Sequence, residues 1–381
     1  MQRKWYGNSF RLGMVGGGQL GRMFIQEAIN FDVQVHSLDP DVEAPCKSIA
    51  TSFTHGSLTD YETLLNFGLD KDIITVEIEN VNIEALKELE KRGKKIFPQP
   101  HILEIIQDKG LQKQFYSENN IPTADFEMID SKSEIQQYIS SFPYMQKMRK
   151  GGYDGKGVQP LRSQEDIENA FEVPSVLEKM IPFTKELSVI VARNEKGDTA
   201  VFPTVECEFN PEANLVEFLF APAAISNEIE VKANNIAIDV ITKLGMVGIL
   251  AVELFLLENG EVLVNEIAPR PHNSGHHTIE CNVTSQYEQH LRAVLNLPLG
   301  STKTIQSGVM INLLGEKGFE GDVYYEGLEK AISLEGVKVH IYGKQKTKSF
   351  RKMGHVTVGN KDIEQAKKTA REVQSILKVK A

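Results

Sequence analysis

At 381 residues, 41% of them hydrophobic and 25% charged, the chain has the composition of an ordinary globular protein with room for two or three domains. A formal net charge of −10 argues against general nucleic-acid binding, though not against a local basic pocket. Cys46, Cys207 and Cys281 are too few and too scattered for a disulfide framework or a zinc motif, no apolar run reaches the ~18 residues of a membrane helix, and the basic N-terminus is not followed by a signal core; the expectation is a cytoplasmic protein.

In chain order, the first hundred residues alternate strand and helix. Phe10–Val15 reads as a strand, Gln19 to Asn30 as a helix, Val33–Leu38 and Ile73–Val76 as strands, and Ile83 to Lys91 as a helix. This βαβ alternation predicts a parallel sheet covered by helices, ending where Pro98 and Pro100 break the pattern. A helix is predicted over 101–118, and Ser131-Lys-Ser-Glu134 is a capping box that opens another. Strands are predicted at 144–149, 158–162, 176–180, 187–193 and 200–206, and a helix at 228–244. A mixed tail from about 301 ends in a helix around 361–377.

Gly248 to Ile267 reads as two apolar strands joined by Asn259-Gly260, a strong hairpin signal. A two-residue loop pairs Leu257 with Val262, Phe255 with Val264 and Glu253 with Glu266. Like charges directly opposite repel, and a divalent cation between the carboxylates would give the pair a purpose; magnesium is commonly held by one or two carboxylates plus substrate phosphates. The competing reading is a different register with both glutamates solvated.

Four further segments carry candidate chemistry. Gly16-Gly17-Gly18-Gln19-Leu20-Gly21 satisfies G-x-G-x-x-G, with Asp39 where a dinucleotide site places an acid, so a dehydrogenase stays open here. The same turn suits any phosphate or carboxylate ligand. Gly151 to Gly157, with Tyr153, Asp154 and Lys156 and flanked by Lys147, Arg149 and Lys150, is a glycine-rich basic loop able to cradle phosphates. Arg270, His272, Asn273 and Ser274 form a donor cluster just past Glu266, on a backbone fixed by Pro269 and Pro271. Adjacent His276 and His277 are expected to point apart in an extended segment, which makes a poor metal pair. Lys344, Lys346, Lys348, Arg351 and Lys352 form a basic island suited to a phosphate.

Taken together, Gly16 to Gly21, Glu77-Ile-Glu79-Asn80-Val81, Gly151 to Gly157, Asn265 to His276 and Arg351-Lys-Met-Gly-His355 resemble, in order and over nearly the whole chain, the 5-(carboxyamino)imidazole ribonucleotide synthase family of ATP-grasp enzymes. The resemblance implies an α/β protein of three parts: a Rossmann-like domain at 1–100, an ATP-grasp domain at 101–300 with a lid lobe at about 122–184, and a small β-rich domain at 301–381. It implies carboxylation of aminoimidazole ribonucleotide with bicarbonate and ATP through carboxyphosphate, in purine biosynthesis. Lys109, Lys147, Gly152, Tyr153, Asp154, Gly155, Lys156 and Gly157 would serve the ATP phosphates. Glu178, Lys179, Met180, Ile181, Glu186, Asn265 and Glu266 would complete the nucleotide site. Strict strand alternation puts Asn265 on the opposite face from Glu266.

By the same resemblance, Gln19, Leu20, Glu77, Asn273, Ser274, Lys344, Arg351, Lys352 and His355 would meet the ribonucleotide. Tyr153, Asp154, Lys156, Arg270 and His272 would be catalytic, and Glu253 and Glu266 would hold Mg2+ or Mn2+. Lys109 stands where family members often carry arginine, and Phe209 near the place of a frequent histidine. The family implies a homodimer, small-molecule partners, hand-off of product to a carboxyaminoimidazole mutase, and neither nucleic acid nor membrane. The related formyl-transferring ATP-grasp enzyme and a catalytically inactive nucleotide-binding module are the remaining alternatives.

Overall fold

A computed structural model describes residues 4–152, 157–210 and 215–381. Its N-terminal sheet is all parallel, in the order Ser52–His55, Val35–Asp39, Leu12–Val15, Ile73–Val76, Lys95–Phe97. The central strands are buried along their whole length, as apolar runs with helices on both faces must be. Helix Gln19–Asn30 covers one face through Met23, Phe24 and Ile25; Tyr61–Gly68 and Ile83–Lys91 cover the other through Leu64, Leu86 and Leu89.

The helix expected over 101–118 is two helices, Pro100–Gln107 and Lys109–Glu118. Asp108 breaks it: its carboxylate turns back to accept from the Gly110 amide at 2.8 Å and so caps the second helix. Next comes a four-stranded antiparallel sheet, in the order Phe126–Ile129, Ser175–Lys179, Tyr144–Met148, Val158–Leu161. It closes its own small core around Ile129, Ile135, Tyr144 and Leu177. The Ser131 capping box opens a 3-10 helix, Lys132–Ser141.

A nine-stranded sheet forms the body. Val262–Ala268, Gly248–Leu257, Phe183–Arg193, Val205–Asn210 and Leu215–Ala221 run straight on into Ser307–Leu314, Lys352–Asn360 and Val337–Ile341. The C-terminal segment thus extends the central sheet. The strand expected over 200–206 is split into Thr199–Val201 and Val205–Asn210, with Pro203, which cannot donate to a ladder, in the gap. Helix Asn227–Lys243 packs Ala233, Ala237, Val240 and Ile241 onto Val189, Val191 and Val252. The N-terminal unit is locked on by a shared core: Met14 and Phe24 pack with Tyr287 and Leu291 of helix Gln286–Val294 and with Tyr342. Thr75 Oγ1 and His290 Nε2 lie 2.9 Å apart across that contact.

The hairpin corrects one expectation and keeps its main consequence. The turn has three residues: the Leu257 amide donates to the Glu261 carbonyl at 2.9 Å, with Gly260 at φ +79°. Phe255 therefore faces Leu263 and Leu256 faces Val262. The register shifts again between Glu253 and Leu254, where Asn265 is the extra residue of a β-bulge on the second strand. One offset cancels the other, and Glu253 still faces Glu266. The pair His276-His277 forms a turn with right-handed helical dihedrals rather than an extended segment, and both rings are buried.

Gly260→Ala should cost about 1 kcal/mol, the price of a left-handed backbone with a Cβ, because its nearest neighbour, Ile229 Cδ1, would stand 3.6 Å away in ordinary contact. Urea unfolding should show a lower midpoint with unchanged slope; an unchanged midpoint would refute this reading of the turn.

Candidate active site

Three neighbouring strands of the large sheet place Ser188, Glu253 and Glu266 in one row. Glu186, two residues before Ser188, shares that face. Glu253 keeps 33% of its side-chain surface open, so its desolvation comes from the walls of a cleft rather than from being sealed. That burial, with Glu266 and Glu186 adding repulsion, pushes its carboxyl up to about 7. Burial alone takes Glu186 to about 7, against a small pull from Lys147. Glu266 goes the other way: burial would raise it, but Lys109 and Lys147 outweigh that and hold it below the usual range.

Facing the row is a set of lysines. Lys109 Nζ lies 2.7 Å from Glu266 Oε1. Lys147, on the small sheet, donates to Asn265 Oδ1 at 2.9 Å and pairs with Glu178 at 2.8 Å. Asn265 therefore reaches the same side as Glu266, contrary to strict alternation, because a bulge re-aims its side chain. Lys113 pairs with the other oxygen of Glu178 at 3.0 Å. Burial draws Lys113 down to about 8, whereas Glu178 and Glu266 outweigh burial at Lys147 and raise it. Behind this set, Arg149 makes a two-pronged contact with Asp108 at 2.8 and 2.8 Å, tying the loop strand to the helix that carries Lys109 and Lys113.

The motifs do not single out Lys113, Asp108 or Ser188. The one available signal for Lys113 is its helical i, i+4 spacing from Lys109. A narrow crevice lined by Glu186, Cys207, Phe209, Glu253, Phe255 and Asn265 opens beside the row. Lys179, Met180 and Ile181 continue from Glu178 at the end of its strand, half-buried.

Past Glu266, the donor cluster is held from three sides. Gln286 accepts from the His272 amide at 2.9 Å and donates to its carbonyl at 2.8 Å. Asn273 and Asn312 exchange amide bonds at 2.7 and 2.9 Å, joining this loop to the C-terminal strands. Arg270 Nε lies 2.8 Å from Glu79, and His272 Nε2 lies 3.6 Å from Glu253. Ser274 is buried. His355 is fully buried as well: its ring lies against His340 and His276, at 4.5 and 4.6 Å between centroids, with Tyr342 Oη 3.1 Å from Nδ1. It faces these neighbours rather than open cleft.

The glycine turn at 16–21 has already spent its donors. Glu77 accepts from the Gly18 amide and from the Gly21 amide at 2.6 Å, and Asp39 accepts from the Gly17 amide at 2.6 Å. A Cβ on Gly16 or Gly18 would collide with the Glu77 side chain. The turn is shaped around a protein carboxylate, so the amides that would take a dinucleotide pyrophosphate are occupied and the dehydrogenase reading loses its support. Gln19 and Leu20 stay half-exposed at the helix start. Lys344 is close enough to Glu77 to favour its charge, against the burial that raises it, and donates to the Lys352 carbonyl at 2.7 Å. Arg351 donates to the Lys346 carbonyl at 2.7 Å. Lys344 thus brings one end of the basic island close to the glycine turn.

Gly152 and Gly157 flank Tyr153, Asp154, Gly155 and Lys156, which lie outside the described residues. Among the described residues no group of three or more acidic, histidine or cysteine side chains is arranged for a metal, so a cation here would rely on two carboxylates and a phosphate. Glu253 and Glu266 suit such an ion: they are adjacent oxygen donors, with Glu253 repelled by its neighbours. An open hollow of about 620 Å³ lies apart, on the N-terminal sheet beside His36, Phe67 and Lys71, but lacks converging carboxylates and a glycine loop. No helix of the described residues is long and apolar enough to cross a membrane. The three cysteines are unpaired.

Because the Glu253 carboxyl is raised to about 7 in the fold, the folded protein binds more protons than the unfolded chain between roughly pH 4.5 and 7. Its contribution to stability is present below that window and lost as pH rises through it. In chelator, Glu253→Gln should have a higher Tm than the parent at pH 8, with the gap closing by pH 5. An equal gap at both pH values would show that the carboxyl is not raised.

Residues 10–107 match the ribonucleotide synthetase preATP-grasp domain, 114–287 the ATP-grasp domain, and 308–369 the phosphoribosylaminoimidazole carboxylase C-terminal domain. The chain is 38% identical to N5-carboxyaminoimidazole ribonucleotide synthase of Bacillus subtilis over 354 residues, 91% of this chain and 90% of the relative. It also matches phosphoribosylaminoimidazole carboxylase of Ogataea methanolica, 38% identical over 366 residues and 92% of this chain, but it spans only 66% of that longer protein. The crystal structure of N5-carboxyaminoimidazole ribonucleotide synthetase from Thermotoga maritima superposes with a TM-score of 0.90 at 43% identity, covering 98% of this chain and 99% of that one. The Aspergillus clavatus enzyme, solved with ADP and 5-aminoimidazole ribonucleotide, gives a TM-score of 0.88 at 32% identity, covering 97% and 98%. With three consecutive domain matches and full-length likeness to these enzymes, the chain belongs to the N5-carboxyaminoimidazole ribonucleotide synthase family of ATP-grasp proteins.

Proposed function

We propose that the protein carboxylates 5-aminoimidazole ribonucleotide with bicarbonate at the expense of ATP, giving 5-(carboxyamino)imidazole ribonucleotide, ADP and phosphate in purine biosynthesis. The observation that carries this reading is the lysine set, Lys109, Lys113 and Lys147, converging on the Glu253–Glu266 row beside the Arg270–His272 donor cluster. That arrangement suits an anionic phosphate chain meeting an anionic acceptor. The ADP and ribonucleotide complex of the Aspergillus relative supports the same pair of ligands.

In the proposed reaction a bicarbonate oxygen attacks the γ-phosphorus of ATP. The bond from that phosphorus to the β,γ-bridging oxygen breaks, and ADP and carboxyphosphate result. The exocyclic amine of the ribonucleotide then bonds to the carboxyl carbon, the carbon–oxygen bond to phosphorus breaks, and phosphate leaves with the amine proton. Such phosphoryl transfer depends mainly on alignment and charge neutralisation. Lys109 and Lys147 would hold the ATP phosphates, Glu178 to Ile181 would line the adenine, and Glu186 would accept from the ribose. Residues 151–157, including Tyr153, Asp154 and Lys156, would cover the phosphates and keep water from the acyl phosphate. Glu253 and Glu266 would hold Mg2+, or Mn2+, which supplies Lewis-acid neutralisation of the phosphate charge when bound.

Arg270 and His272 would face the carboxyl group, with Asn273 and Ser274 beside them. Gln19, Leu20 and Glu77 would meet the imidazole and sugar, and Lys344, Arg351 and Lys352 the substrate phosphate, with His355 supporting them from behind. We further infer cytoplasmic location, a homodimer, and transfer of the labile product to a mutase.

ADP release should require Mg2+, bicarbonate and the ribonucleotide together. ADP formation indifferent to the ribonucleotide would sink the substrate assignment, and reduction of NAD by alcohols would revive the dehydrogenase. Glu266→Gln should lower kcat roughly 100-fold, in the range lost when metal-site groups are disturbed; full turnover would refute its role.

A further inference from the structure

A chain of hydroxyls runs from the floor of the sheet to the imidazole of His272. Ser188 Oγ lies 2.7 Å from Ser274 Oγ, and Ser274 Oγ lies 2.8 Å from His272 Nδ1. Ser188 and Ser274 are each only 1% exposed. The far nitrogen of the ring, Nε2, points toward Glu253, at 3.6 Å. A neutral imidazole has one protonated nitrogen and one acceptor, and its partners decide which is which.

Here one partner has no choice of role. The Ser274 backbone N–H reaches His272 Nδ1 at 3.4 Å, and an amide N–H only donates. A proton on Nδ1 would point at that amide hydrogen. Nδ1 is therefore the acceptor, which fixes the hydroxyls in turn. Ser274 O–H donates to Nδ1, and Ser188 O–H donates to Ser274 Oγ. Every proton in the chain points the same way.

We infer that Ser274 and Ser188 are positioning residues that hold His272 in the tautomer with its proton on Nε2, so that it presents an N–H donor, not a basic lone pair, to the reacting groups. The loop geometry serves the same end: Gln286 pins both the amide and the carbonyl of His272, which fixes the backbone that carries the ring beside Ser274. In the proposed reaction the Nε2–H would donate to an oxygen of bicarbonate or carboxyphosphate, where negative charge must be held. Nδ1 is engaged by Ser274 and Nε2 already carries a proton, so neutral His272 has no nitrogen left to take one from the amine.

This inference deepens the reading of the site given above and rests on it for its chemistry, but its test does not need turnover. In protein labelled with 15N-histidine, two-dimensional spectra of the ring nitrogens distinguish the tautomers, and a His272→Gln variant assigns the signal among the nine histidines. The ligand-free parent should show His272 with Nδ1 unprotonated and Nε2 protonated. Ser274→Ala keeps the backbone N–H at 3.4 Å but removes the shorter hydroxyl bond to Nδ1 at 2.8 Å, so the Nε2–H tautomer should lose part of its population. Since small misplacements at a reacting centre are costly, kcat should fall by roughly tenfold or more. Ser188→Ala should act in the same direction, less strongly. A parent spectrum with Nδ1 protonated overturns the inference without reference to any variant, as does a Ser274→Ala spectrum identical to the parent. The predicted tautomer in a protein without ribonucleotide-dependent ADP release would instead overturn the functional reading alone.

Discussion

One carboxylate, Glu178, holds two lysines inside the protein, and the site is arranged around that fact. Lys113 and Lys147 take one oxygen each, and all three side chains are nearly sealed from water. Burying charge is costly, and a lone buried ion costs several kcal/mol. Two cations on one anion leave an excess positive charge, which Glu266 offsets only in part because it is also paired with Lys109. Asn265, brought over by the bulge, adds only a dipole. The excess is directed at the cleft, and it favours an anionic ligand before any phosphate arrives. The same trio spans two units: Lys147 and Glu178 belong to the small sheet, Lys113 to the helix beneath it. Charge recognition and the seating of the small sheet therefore rest on the same contacts.

The carboxylate row works in the opposite sense. Glu186 and Glu253 are pushed up to about 7, while Glu266 is held low by Lys109 and Lys147. Three acids on one face thus fall into two kinds, sorted by distance from the lysines. The arrangement resembles a battery of unequal poles: one carboxylate is held in its charged form by the lysines, and the others gain a full charge only as the pH rises above about 7 or when something cationic joins them.

Much of this was legible in the sequence, unevenly. The pairing of Glu253 with Glu266 follows from the Asn-Gly turn and strand periodicity, yet it survives only because two deviations cancel: a longer turn and a bulge at Asn265. Neither leaves a clear mark in the residues, since Asn-Gly serves both two- and three-residue loops and a bulge has no required side chain. The glycine turn shows the reverse. Its pattern fits a dinucleotide site, but what the glycines accommodate is Glu77, a residue far along the chain. Spacing rules describe local backbone and cannot see who arrives from elsewhere. Lys113, Asp108 and Ser188 were invisible for that reason: each gains its role from partners distant in sequence. Tyr153, Asp154, Gly155 and Lys156 were read from sequence and lie outside the described residues.

The continuity of the large sheet has a consequence for how the protein is made. Strand Leu215–Ala221 is flanked on one side by Val205–Asn210, which precedes it, and on the other by Ser307–Leu314, which leaves the ribosome much later. Until then an apolar edge carrying Phe218 and Phe220 has open hydrogen-bonding groups and nothing to pair with. Such edges invite association with other chains. The central body is therefore assembled early but finished late, and the strand that covers its edge, Ser307–Leu314, is the one on which the strand bearing Lys352 and His355 then pairs. A nascent chain that stalled before residue 307 would lack the basic island proposed to meet the substrate phosphate and would also be sticky, which gives the cell a reason to clear it.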